Sequence, residues 1–444
     1  VAGLTIGMLG APGGAAAAEV TFSRGQARAT FGDAIEISID VLATTALERA
    51  EILLTFPDAL GPQVAQVPLP SSGRGTLRFR WDLAEDGHLV PNTTLEARWR
   101  VTPTSGPPVV SDVLRVRYAD TRFDWRTLEG DVVRVHWYEG GEAFGRRALE
   151  IGDQAVADTA ALLGVREDDP IDFFIYPDEP AFRDALGPGT RENVGGQAQA
   201  DIRTLFALIS PGDIDAGWVG IVVPHELVHL VFDTTVDNPY RFPPRWLNEG
   251  LAVYLSQGYD ASDRERVQDA AADGSLMPLA GLTGQFPTTF ERFALAYAES
   301  VSAVEHLVRT YGQEALVGLV RSYREGITDD EAFTRAIGID VAAFQAAWLA
   351  ELGSDEPVRY GPQPAPAGPV PSGWEGAPAT PLPGSLPSGA VASPPAPGPG
   401  TPGPGEGPAA DLAPAVLIGL GVVVLVVAAA IAIARRRARP GSAA

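Results

Sequence analysis

The sequence predicts a multidomain chain: an N-terminal all-β sandwich of immunoglobulin-like type, an α+β domain with a helical C-terminal half, and a single C-terminal transmembrane helix. Three patterns predict it. Short runs alternate apolar and polar residues from Val20 to about Tyr118, the period of half-buried strands. From about residue 210 to Leu352 most of the chain carries helical periodicity. Ala415 to Ala434 is apolar and free of charge, long enough to cross a bilayer core of ~30 Å as a helix.

The predicted strands of the first domain, residues 19–119, are AIEISIDVL, AEILLTF, TLRFRW, TLEARWRV and VLRVRY, separated by Pro, Gly and Ser clusters. Their spacing suggests a small sandwich without defining its topology. Its one histidine, His88, reads as a surface-loop residue. In the second domain, residues 120–353, DVVRVHWY and IDFFIY read as strands around the helical GEAFGRRALEIGDQAVADTAALLG, and VGGQAQ and TLFALIS as two further strands. His136 falls in a strand and His306 in a helix, both read as structural. Residues 354–414 collapse to Pro, Gly, Ala and Ser, a composition that cannot bury enough apolar surface to fold and suits a semi-extended stalk.

The ends suggest a location. Arg435, Arg436, Arg437 and Arg439 follow the apolar span of 415–434, so the tail of 435–444 is expected on the cytoplasmic side and everything before the span outside. Residues 1–18 are small and apolar and close on four alanines before Glu19, resembling a secretory signal segment without a basic start. The expectation is a type I, single-pass protein of the cell membrane with its folded domains outside. A formal net charge of -23 argues against nucleic acid as a partner, since phosphate backbones are bound by excess Lys and Arg. The absence of cysteine excludes disulfides, thiolate catalysis and Cys-based zinc sites.

The chemistry concentrates in PHELVHL, residues 224–230. His225 and His229 are four apart, so on a helix they share one face and can grip one metal ion. Glu226 lies beside the first ligand and can take a proton from a metal-held water. WLNEGLAVYL then supplies Glu249, 20 positions after His229, on a second amphipathic helix. Two His and one Glu are a standard ligand set for a catalytic zinc, which keeps a fourth position open. Gly250 is expected to let the two helices approach closely. Pro224 is expected to start or kink the first helix, because it lacks an amide donor.

From about Tyr118 to Leu352 the chain resembles the bacterial peptidase MA-like family of gluzincin, thermolysin-like metallopeptidases. The resemblance rests on HELVH and NEGLAVY, with a Gly-Gly segment (Val194, Gly195, Gly196, Gln197), the turn PPRWLNEG, and the later helix AYAESVSAVEHLVRTYG. It implies one Zn2+ per chain held by His225, His229 and Glu249, with Glu226 as general base for hydrolysis of a peptide or protein substrate. By looser similarity, Tyr297 is the candidate oxyanion donor, and the strand around Gly195 to Gln197 a peptide-binding edge. Two departures stand out. The position four residues after the ligand Glu, an acid in many thermolysin-like enzymes, is Val253, which leaves Asp233 and Glu299 as candidates to orient a histidine. No Gly-x-Met-Glu-Asn motif is present, which favours an endopeptidase over an aminopeptidase. The rival reading is an inactive, surface-tethered binding protein on the same zinc scaffold.

Overall fold

The computed structural model describes residues 19–357, apart from 58, 72, 86, 188–194 and 239–241. The signal-like segment of 1–18, the stalk beyond residue 357, the span of 415–434 and the tail of 435–444 lie outside the described residues, as does Val194.

Strands β1 (Val20–Thr30), β2 (Ala34–Ala43), β3 (Leu47–Thr55), β4 (Gln63–Gln66), β5 (Arg74–Asp82), β6 (Thr94–Pro103), β7 (Val109–Val110) and β8 (Leu114–Arg117) form the first domain. All their pairings are antiparallel. One sheet has the order β1-β2-β5 and the other β4-β3-β6-β7, with β8 also pairing β6. The connections β2–β3, β4–β5 and β5–β6 cross between sheets, as in immunoglobulin-like sandwiches. Ile35, Ile37, Ile39 and Val41 of β2 meet Ile52, Leu95, Ala97 and Trp99 of the other sheet in one core. Alternation is legible wherever a strand presents one face to that core. In β1, which has no fully buried residue, alternation holds at Val20 and Phe22 and again at Ala27 and Ala29 but is interrupted by a bulge between Ser23 and Gln26.

The second domain begins with β9 (Arg126–Glu129) and β10 (Val133–Trp137), then α1 (Glu142–Leu163), β11 (Ile171–Tyr176), α2 (Glu179–Leu186), β12 (Gly196–Gln199) and β13 (Thr204–Leu208). Its sheet order is β12-β13-β11-β10-β9, parallel in the middle and antiparallel at both edges. Along β11, Phe173 and Ile175 join the main core while Phe174 and Tyr176 pack with α2 on the opposite face. Burial on both faces explains a strand with no polar alternation.

The helical half follows as α3 (Val219–Val236), α4 (Arg245–Ser256), α5 (Ala261–Asp273), α6 (Phe290–Tyr311), α7 (Gln313–Ser322), α8 (Asp329–Ile337) and α9 (Val341–Leu352). Helix α3 is long and apolar enough to cross a membrane, but 72% of it is buried inside the protein; it is the core helix of the domain. It starts at Val219, so Pro224 lies inside it rather than at its start. The proline leaves the carbonyl of Gly220 without its usual helical donor.

The two domains meet through polar contacts. Asn92, in a left-handed conformation at φ 74°, donates to Asp172 Oδ2 at 2.8 Å and to Thr204 Oγ1 at 2.7 Å and accepts from Arg117 Nε at 2.9 Å. Asp172 also holds Arg134 and His136. His88 is an exposed surface-loop residue, as the sequence suggests, and its ring places Nε2 3.0 Å from the carbonyl of Ala185. A cavity of about 440 Å³ lies along this joint, lined in part by Asn92, Arg117, Arg134 and Arg203. Residues 354–357, assigned to the stalk from composition, still pack on the domain, where Glu356 accepts from Gln345.

Candidate metal centre

Helix α3 is buried almost all round, and His225, Glu226 and His229 sit on it among Val222, Leu227 and Val228. Helix α4 brings Glu249 against them. His225 Nε2 and His229 Nε2 each lie 3.7 Å from Glu249 Oε2, and the three ligand atoms fall within 4.8 Å of one another. These separations are too long for hydrogen bonds. Donor atoms bonded at ~2 Å to one tetrahedral ion lie about 3.3 Å apart, so the spacing suits a shared ion.

Satisfaction of polar atoms gives an independent test of fit. His225 Nε2, His229 Nε2 and Glu249 Oε2 are all buried without a hydrogen-bond partner, as are Glu226 Oε1 and the Tyr297 hydroxyl. Buried polar atoms are nearly always paired, and each left unpaired costs on the order of 1–3 kcal/mol. Five in one place describe a site built for a cation and its water. The residues therefore fit zinc: two neutral imidazoles and a carboxylate, with further polar atoms facing the open side.

The other atoms of these side chains are held. His229 Nδ1 lies 2.9 Å from Asn248 Oδ1, which accepts only; Nδ1 therefore carries the proton and Nε2 presents its lone pair. Burial lowers the His229 pKa to about 4 despite the attraction of Glu249, so the ring is neutral and competent to ligate at pH 7. Burial alone would raise the Glu249 carboxyl, but His225, His229 and Arg245 outweigh it and hold it below its ordinary range. Arg245 Nε donates to Glu249 Oε1 at 3.0 Å, leaving Oε2 for the ion.

Glu226 is fully buried, and its Oε2 accepts from the amide of Ala198 at 2.9 Å. Burial pushes its carboxyl well above the usual range, against the Ala198 hydrogen bond and with repulsion from Glu249; a cation beside it would reverse much of that. Ala198 belongs to β12, the sheet's edge strand, and a Cβ on Gly196 would meet Glu226 Cγ at 3.0 Å. The missing side chain lets the strand lie against the helix. Tyr297 of α6 sits between Phe286 and Phe293, its ring 6.4 Å from that of His225. Burial and the nearby Glu249 charge raise its pKa well above the ordinary value, so it is a neutral phenol with a proton to donate.

Residues 151–354 match the family model of the Peptidase MA superfamily. This segment is a peptidase MA domain. The protein is thus a zinc-dependent metallopeptidase with one zinc ion as its cofactor. Among solved structures, it is similar to an M1 zinc metallopeptidase from Deinococcus radiodurans, at 16% identity over 77% of this chain and 95% of that one, with a TM-score of 0.34. It is also similar to an aminopeptidase N family protein from Idiomarina loihiensis, at 12% identity over 72% and 74%, with a TM-score of 0.37. No curated protein sequence matches the chain.

Several sequence expectations about this metallopeptidase change on its structure. The orienting partner found for His229 is Asn248, rather than Asp233 or Glu299. The Glu299 carboxylate instead accepts from the amide of Met277. Gly250 does allow a close approach, but of α4 to α6: a Cβ there would meet the carbonyl oxygen of Ser300 at 2.4 Å. His136 stacks on Phe174 and bonds to Asp172 and Thr127, and His306 pairs with Glu351, both away from the metal centre. Sequence reasoning missed Arg245, Asn248 and the Ala198 amide. The first two stand four residues and one residue before Glu249, offsets that a search one turn further on passes over; a backbone amide leaves no sequence signal at all.

Proposed function

We propose that the protein is an endopeptidase in which Glu226 is the general base and Tyr297 donates a hydrogen bond to the oxyanion. The observation that carries the reading is the convergence of His225 Nε2, His229 Nε2 and Glu249 Oε2, unpaired and buried, beside the unpaired Glu226 Oε1. Bound there, zinc supplies Lewis acidity and a water of lowered pKa. The chain's own groups do the rest. Glu226, held through Oε2 by Ala198, has Oε1 free to accept a proton and return it to the leaving amine. The Tyr297 hydroxyl can donate where negative charge develops on the former carbonyl oxygen. The outer edge of β12 can take an extended peptide as an added strand.

The endopeptidase preference is supported by β12 itself, whose Gly, Gln, Ala and Gln provide no carboxylate for a free amino terminus. The apolar segment of 415–434 and the arginines after it support placement of the peptidase on the outer face of a membrane. Zinc analysis and peptide hydrolysis test the chemistry. Wild type is expected to hold one zinc per chain, His229→Ala to lose it, and Glu226→Gln to keep it while hydrolysis falls by ~10²–10⁴-fold. Unchanged hydrolysis in Glu226→Gln removes Glu226 from its role. A quenched peptide blocked at both ends is expected to be cleaved faster than aminoacyl substrates; the reverse order makes the protein an aminopeptidase.

A further inference from the structure

The position of Arg245 is costly on local grounds. It is the first residue of α4, where the positive end of the helix dipole disfavours a cation. It precedes Glu249 by four residues, the less favourable order for a helical Arg–Glu pair. The pair is also buried, with Arg245 at 8% and Glu249 at 0% exposure, so both charges have given up water. Neither helix stability nor surface solubility accounts for it.

What Arg245 does is grip one atom. Its Nε donates to Glu249 Oε1 at 3.0 Å, while Oε2 has no partner and faces both histidines. The guanidinium is itself anchored: NH1 donates to Gln285 Oε1 at 3.3 Å, the Phe286 ring lies 4.9 Å away, and the Arg245 amide donates to the carbonyl of Thr283 at 3.0 Å. Rotation of the carboxylate to offer both oxygens would break the bond to a fixed, buried cation.

We propose that Arg245 is a positioning residue that confines Glu249 to one-oxygen coordination, keeping the metal four-coordinate with a single open position. The inference rests on the metallopeptidase reading of the site. It extends that reading to metal choice: ions that favour many oxygen ligands and bidentate carboxylates, such as Ca2+, lose a donor here, whereas Zn2+ loses nothing.

Two measurements on the full-length protein test it. Zinc-edge X-ray absorption of wild type should show a single carboxylate oxygen at bonding distance; two such oxygens overturn the proposal without any variant. Cobalt(II) substitution, followed by visible absorption, should give the strong bands of a four-coordinate ion in wild type. In Arg245→Met, with one cobalt per chain retained, those bands should weaken several-fold as the freed carboxylate supplies its second oxygen. Arg245→Lys, which can still hold Oε1, should stay close to wild type. Identical spectra in wild type and Arg245→Met overturn the proposal, because a role in packing alone would leave coordination unchanged. A wild-type protein that takes up neither metal instead refutes the metallopeptidase reading, so the two failures are distinct.

Discussion

At the scale of single residues, the site is organised by giving each polar atom one task. Asn248 illustrates the economy: its side chain selects the His229 tautomer from a position adjacent to the ligand Glu249. Asn248→Leu is expected to weaken zinc binding by ~10–100-fold, read by chelator competition. Glu299 shows the reverse case, a buried carboxyl outside the chemistry. Burial raises its pKa to about 8, against the Met277 amide and the Arg292 charge. Because the folded value exceeds the unfolded one, the folded protein holds the extra proton and its stability falls as pH rises from about 4.5 to about 8. Glu299→Gln keeps an acceptor for Met277 and removes the proton. Thermal unfolding across that range should show the variant gaining on wild type as pH increases, and parallel curves would contradict the assignment.

At the scale of elements, the metal centre depends on how closely three helices and one strand can lie. Gly250 places α4 against the backbone of α6, and Gly196 places β12 against α3. Gly250→Ala puts a methyl group 2.4 Å from the Ser300 carbonyl oxygen, a contact that neither backbone can yield cheaply. Overpacking of this kind costs roughly 1–3 kcal/mol, and the shift of α4 carries Glu249 with it. Chemical denaturation should show the lost stability, and zinc content a reduced occupancy. A fully stable variant would mean that α4 and α6 adjust more freely than their packing implies.

At the scale of the whole molecule, the sandwich and the peptidase domain are joined by a charged, hydrogen-bonded seam centred on Asp172. Burial would raise the Asp172 carboxyl, but hydrogen bonds from His136, Asn92 and Arg134 outweigh it and bring the pKa to about 2. The folded value lies below the unfolded one, so the stabilisation is complete above about pH 4 and disappears as pH falls towards 2. Asp172→Asn should therefore unfold at milder denaturant concentration near neutrality, and the difference from wild type should shrink in acid. A difference independent of pH would assign the effect to packing.

Much of this was legible in the sequence because its causes are local. His225 and His229 share a face through helical geometry alone, strands β2, β3, β5 and β6 alternate because one face of each meets the core, and NEGLAVY marks the second ligand helix. Pro224 left two local readings open, a helix start or a kink, and the burial of α3 from Val219 onward, which continues the helix through it, removes the first. The sequence by itself determined the ligand types, the residue proposed as base and the order of the domains' strands and helices. Tertiary structure alone decided which free atoms face one another: the Ala198 amide on Glu226 across 28 residues, Gly250 against α6, and Arg245 locked by Thr283, Gln285 and Phe286. Those contacts depend on distances between segments that linear order does not encode.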